Sequence, residues 1–165
     1  MAELAIESLS DSNAEELIDL LANVDGVHFT HTSRESVRRF LEEPADVHLL
    51  GRAHGLAVAF GMLRGWQEGY ETPSLGIAVR RDHEGHEHGR AMMAALERVA
   101  RERGVPAIRL RVHADNTRAR KFYDALGYRE MGIERGQILM TLEFGEVAPK
   151  ADLDGSGGGA DTPRT

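Results

Sequence analysis

The chain has 165 residues, a formal net charge of −7 and no cysteine. Its length suits one domain with a proper core and not two. The missing thiols exclude disulfides, thiolate zinc sites and a cysteine nucleophile, and the summed negative field argues against nucleic acid as a partner.

The opening, MAELAIESLSDSNAEEL, places acidic residues where an export signal needs a basic start and an apolar run. No later stretch approaches the roughly 18 apolar residues of a membrane helix. A soluble, cytoplasmic protein without membrane contact is expected. Residues 3–9 alternate loosely as a first strand, and Ser12 with Glu15 forms a capping box ahead of Leu17, Leu20 and Leu21. A second box, Thr32 with Glu35, opens a helix carrying Val37, Phe40 and Leu41 on one face, which Pro44 ends. Val47 to Arg52 and Leu56 to Leu63, joined through Ala53, His54 and Gly55, read as a hairpin. After the polar segment GWQEGYETP, Ser74 to Val79 adds a fourth strand, completing an antiparallel meander.

The period then changes. Met92, Met93, Leu96, Val99 and Ala100 fall at helical spacing, with Gly104 and Pro106 as stops. Ile108, Leu110 and Val112 alternate with Arg109, Arg111 and His113 as a fifth strand. Asn116 caps a helix bearing Ala119, Phe122, Tyr123 and Leu126, and strands around 128–133 and 136–144 finish a domain spanning residues 1–145. The remainder, 146–165, is acidic, rich in glycine and nearly without apolar side chains, so a disordered tail is expected. Asp152, Asp154 and Gly155 start like a calcium loop, but the later ligands are missing and a linker is expected instead.

Two blocks within residues 3–144 resemble the GNAT superfamily of N-acetyltransferases. The first is VRRDHEGHEHGRAMM, residues 79–93, whose positions Glu84, Gly85, His86, Glu87, His88 and Gly89 lie where that family has a glycine-bearing pyrophosphate loop. Such a loop works by pointing several backbone N–H groups into one concavity at the positive end of a helix. Glu84 and Glu87 depart from the usual Arg or Gln and the usual central glycine, so both are expected to turn away from the phosphates, with Arg80, Arg81 and Arg90 offsetting their charge. The second block, DNTRARKFYDALGYRE, matches more fully through Asn116, Ala119, Phe122, Tyr123, Gly127 and Tyr128.

The resemblance implies one α/β domain: a mixed, mostly antiparallel sheet of about seven strands flanked by four helices and splayed between strands four and five. It implies acetyl-CoA as co-substrate, held by Ile77, Ala78 and Val79 at a strand-four bulge, by residues 84–90 and by Asn116. It implies Tyr123 as the acid that protonates the departing thiolate. Glu71 is the first choice of base, with Glu68, Tyr70 and His113 as alternatives. His28, Phe29 and His31, together with Trp66, Glu68 and Tyr70, are expected to line the acceptor side, where acidic and aromatic groups suit a cationic small amine or amino sugar. Protein N-termini or lysines are the rival acceptors, and a non-catalytic acyl-CoA-binding module is the rival from another class. The group His83, His86, His88, Asp82, Glu84 and Glu87 is read as solvated loop, with no metal. A homodimer would be unsurprising.

Overall fold

The computed structural model describes residues 3–25, 29–85 and 87–145. Expectations for His28, for His86, and for the tail with its calcium-like start lie outside the described residues. In chain order the elements are β1 (Ala5–Ser8), α1 (Ala14–Leu21), α2 (Arg34–Leu41), β2 (Val47–Ala53), β3 (Leu56–Arg64), β4 (Ser74–Val79), a 3₁₀ turn (Arg81–His83), α3 (His88–Glu102), β5 (Ala107–Val112), α4 (Thr117–Ala125), β6 (Arg129–Glu134) and β7 (Gln137–Glu143).

Local chemistry sets the element ends. Helix α2 is capped by Ser33, whose hydroxyl accepts from the Ser36 N–H at 3.0 Å, one position beyond the expected Thr32. Helix α1 begins after Asn13, not Ser12, and Asn13 does not cap it in the usual way. Its buried amide turns back instead, accepting from Ser10 N–H and donating to Glu7 and the Ser8 carbonyl, which ties β1 to α1. Ser12 cannot do this, because a hydroxyl has one proton to give and the amide has two. The β2–β3 connection tightens to His54 and Gly55, both at positive φ, which is the two-residue turn whose twist matches the flanking strands.

The seven strands lie in the order β1-β2-β3-β4-β5-β7-β6, and every neighbour pair is antiparallel except β4 with β5. Both faces of β2 and β3 are covered, which is why those strands read as continuous apolar runs. On one face, Leu17, Leu20, Leu21, Val37 and Phe40 pack on Leu50, Phe60, Met62 and Ala78. On the other, Met92, Met93, Leu96 and Ala100 pack on Leu63, Leu75, Ile108, Leu110 and Met140. Each such fully buried large side chain contributes about 1.5–3 kcal/mol. Helix α3 approaches β3 to backbone contact at Gly61, where a Cβ would stand 2.7 Å from Met92 Cγ and 2.8 Å from Leu96 Cδ1.

The expected strand-four bulge is absent. Pairing of β3 with β4 runs unbroken from Arg64↔Ser74 to Ala59↔Val79, and the irregularities lie at Gly51/Arg52 and Glu130/Gly132. Because β3 holds β4 along its whole length, β4 has no spare residue to bulge. The sheet opens at the other edge of β4, where β5 leaves to follow β7.

Candidate active site

Strands β4 and β5 share one register pair, Ser74↔Arg109, reinforced by the Arg109 N–H donating to the Pro73 carbonyl at 3.0 Å. Beyond it β4 stays with β3 up to Val79 and β5 stays with β7 up to Val112, so the two parallel strands diverge as a wedge. Among the described residues the facing edges have no ladder partner past that pair, which leaves backbone donors and acceptors for a ligand. A cleft of about 450 Å³ fills the wedge. Ile77, Ala78 and Val79 wall one side, and Arg111, Val112 and His113 the other.

The loop from β4 to α3 closes one end of the cleft through Glu84, Gly85, Glu87, Gly89 and Arg90. Gly85 and Glu87 both have positive φ, at 85° and 70°. Glu87 occupies the N-cap position of α3 without a side-chain cap bond. The first N–H groups of a 15-residue helix therefore point forward with no side-chain acceptor from their own cap, an arrangement that favours an anion. The two carboxylates are both engaged by arginine: Glu87 accepts from Arg90 Nε at 3.1 Å, and Glu84 accepts from Arg118 Nη1 at 3.2 Å. The base of the loop is tied down by Arg81, which donates to the Asn23 carbonyl through its backbone N–H and to the Val24 carbonyl through its side chain. His88 is buried at the start of α3 and does not line the cleft; its ring centroid is 6.1 Å from that of His83.

Helix α4 forms the next wall, with Asn116, Arg118, Ala119, Phe122 and Tyr123 in the lining. Asn116 Oδ1 accepts from the Ala119 N–H at 3.2 Å, so the cap and the cleft-lining position are one residue. The Tyr123 ring lies between Phe122 and Tyr128, at 5.4 Å and 5.9 Å between centroids. Burial pushes its phenol up to about 12, so the proton stays on at neutral pH. Among the described residues its hydroxyl has no hydrogen-bond partner.

On the remaining side Val24, Asp25 and Phe29 enter from the end of α1. The structure brings Phe29 into the cleft and leaves the 65–73 segment out of it. Trp66 is half-buried on the core with the Arg103 guanidinium 4.1 Å above its ring, at the far end of α3. Glu68, Tyr70 and Glu71 are exposed on the same turn, which Asp46 holds by accepting from the Gly65 and Gln67 N–H groups. Of the bases considered, His113 alone stands in the lining, its Nε2 3.0 Å from Gln137 Nε2. Sequence reasoning overlooked Arg118, Arg111 and Asp25. Arg118 was within reach of it, lying two residues past the Asn116 cap in the first turn of α4, and Arg111 shares the outward alternation of His113.

A family model described as "Acetyltransferase (GNAT) family" matches residues 14–128. A protein from Sodalis glossinidius (strain morsitans), acetyltransferase SG1711, is 27% identical over 114 residues, covering 69% of this chain and 79% of that one. Among solved structures, the PaiA N-acetyltransferase of Thermoplasma acidophilum in complex with coenzyme A superposes with a TM-score of 0.74 at 16% identity, over 86% of this chain and 99% of that one. The ribosomal-protein-S18-alanine N-acetyltransferase of Escherichia coli superposes with a TM-score of 0.67 at 22% identity, over 86% and 94% of the respective chains.

Proposed function

The chain belongs to the GNAT family of acetyltransferases, and from that premise we propose that it carries an acetyl group from acetyl-CoA, lying along the β4–β5 wedge, to a small amine entering beside Phe29. It is an acetyl-CoA-dependent N-acetyltransferase. The proposal concerns how its own residues do the work and on what acceptor.

The observation that carries the reading is that one cleft joins an anion cradle to a protonated, half-buried phenol. The N–H groups opening α3, with Arg90 and Arg118 beside them, suit the pyrophosphate. The unpaired edge of β4 suits the amide-bearing arm that follows it. In the reaction the amine first loses a proton to His113, directly or through one water. Its lone pair attacks the thioester carbon, and a β4 backbone N–H stabilises the oxyanion. Collapse breaks the C–S bond and the thiolate takes the Tyr123 proton; the proton shed by the newly acylated nitrogen restores the phenol, and His113 returns its own proton to solvent. Direct transfer fits a chain without cysteine, and no acyl-enzyme is needed. Acetyl-CoA is a metabolite of the cytoplasm, where we place the reaction.

Tyr123→Phe should lower kcat by about 10²-fold, the usual worth of a positioned acid, while the Kd for acetyl-CoA measured by calorimetry stays within about twofold. An unchanged kcat removes Tyr123 from the acid role. His113→Gln should likewise depress kcat/KM for the amine, and an unaltered value would reassign the base.

A further inference from the structure

The face of the sheet that α1 and α2 cover over β2, β3 and β4 continues onto the outward side chains of β5 and β7. Arg64 ends β3 and pairs with Ser74 of β4, which pairs with Arg109 of β5. Residues paired in register share a face, so Arg64 and Arg109 stand in one transverse row, about 10 Å apart by strand spacing. Arg111 lies two residues farther along β5 on the same face and lines the cleft.

Arg64 is half-buried, and its guanidinium donates to His31 Nε2 at 3.1 Å. Among the described residues no carboxylate pairs with it. His31 in turn packs edge-on against Phe29, with centroids 5.9 Å apart, so the cleft wall and Arg64 are joined by one imidazole. That imidazole is no counter-ion. Burial first, and then the nearby Arg64 and Arg39, hold it below its ordinary value and therefore neutral. Arg109 and Arg111 share a single carboxylate, Glu134, at 2.6 and 3.4 Å. Along this row three guanidinium groups meet one carboxylate. A guanidinium partly removed from water with only a neutral partner is costly unless an anion joins it.

We infer that the acceptor is an amine carrying a carboxylate in the same molecule, an amino acid or a short amino-carboxylic acid, with its carboxylate on Arg64 and Arg111 and its amine toward His113 and Tyr123. The inference rests on the acetyl-transfer reading and replaces the cationic acceptor expected from WQEGYE: Arg64 stands just outside the cleft lining, half-buried and joined to it through His31 and Phe29, whereas Glu68 and Glu71 are exposed. A polyamine would bring like charge to Arg64, Arg109 and Arg111. A carboxylate instead finds forked donors matched to its two oxygens.

Steady-state kinetics with α-amino acids, β-alanine and γ-aminobutyrate, each against its carboxamide, and with spermidine as the polycation, test this on the full chain. The best acid should exceed its amide in kcat/KM by about 10- to 100-fold, as expected for a charge-assisted contact. Arg64→Gln should collapse that ratio through KM with kcat nearly kept, and Arg64→Lys should restore part of it. An unchanged Kd for acetyl-CoA in both variants shows that they fold. Preference for the amides or for spermidine, or a ratio untouched by Arg64→Gln, overturns the inference while leaving acetyl transfer standing. Binding of acetyl-CoA with no turnover of any amine overturns the transfer reading and this inference with it.

Discussion

Burial drives Tyr123 and His48 alike toward the neutral form, and the consequence differs because only Tyr123 faces the cleft. For the phenol, a value near 12 makes it a donor at any physiological pH, which suits the proposed acid role toward a departing thiolate. His48 lies under α2, its ring stacked on Phe40 at 4.7 Å and aligned with Phe60 at 6.3 Å, with Nε2 buried and unpartnered among the described residues. Burial, the largest influence, holds its imidazole down at about 4 against an ordinary 6.5. Asp46 pulls it up and Arg64 pushes it down, both less strongly. Below 6.5 the unfolded chain accepts a proton that the folded chain refuses until about 4. Stability is therefore full above that window and lost as pH falls through it. Urea unfolding should show a loss of about 2 kcal/mol between about pH 7 and about pH 5 that His48→Phe largely abolishes. An equal loss in the variant would place the acid sensitivity elsewhere.

At the scale of elements, the proposed site depends on how closely α3 lies on the sheet, because the start of α3 is the proposed anion cradle. Gly61 sets that distance. Added to β3, a Cβ meets Met92 Cγ and Leu96 Cδ1 in a fully buried layer, whereas at Gly76 the nearest atom is Met62 Cε, the terminal methyl of a flexible side chain, at 2.7 Å. Gly61→Ala should lower stability by about 1–3 kcal/mol and weaken acetyl-CoA binding as α3 is displaced. Gly76→Ala should cost less stability, and equal urea midpoints for the two variants would contradict this packing argument. The elements themselves were legible because their signals are local: the alternation of β5, the Met92–Ala100 stripe and the Asn116 cap each lie within a few residues. Helix starts slipped by one where neighbouring residues were both competent caps, as with Thr32 and Ser33. The loop and α4 walls of the cleft were legible for the same reason, since residues 84–90 and α4 are each one contiguous block. The opposite wall was not. Phe29, Arg64 and the β5 end from Arg111 to His113 come from three separate segments, and the sheet register puts Arg64 and Arg111 on one face, while the conspicuous WQEGYE turn is exposed outside the cleft lining.

Taken whole, the molecule carries a net charge of −7, yet the cleft lining gathers arginine at positions 90, 111 and 118. The long-range field therefore disfavours both acetyl-CoA and an acidic acceptor, so the proposed recognition must rest on local guanidinium groups and on the helix end. No helix among the described residues is long and apolar enough to cross a membrane. With no cysteine in the chain, any thiol that appears in solution comes from the co-substrate. The decisive measurement is thus the release of free thiol from acetyl-CoA in the presence and absence of amino acids, with the N-acetylated product identified by mass spectrometry. The account predicts amine-dependent release matched mole for mole by N-acetylated product. Thiol release indifferent to the amine, or acetyl-CoA binding with no release, would contradict it.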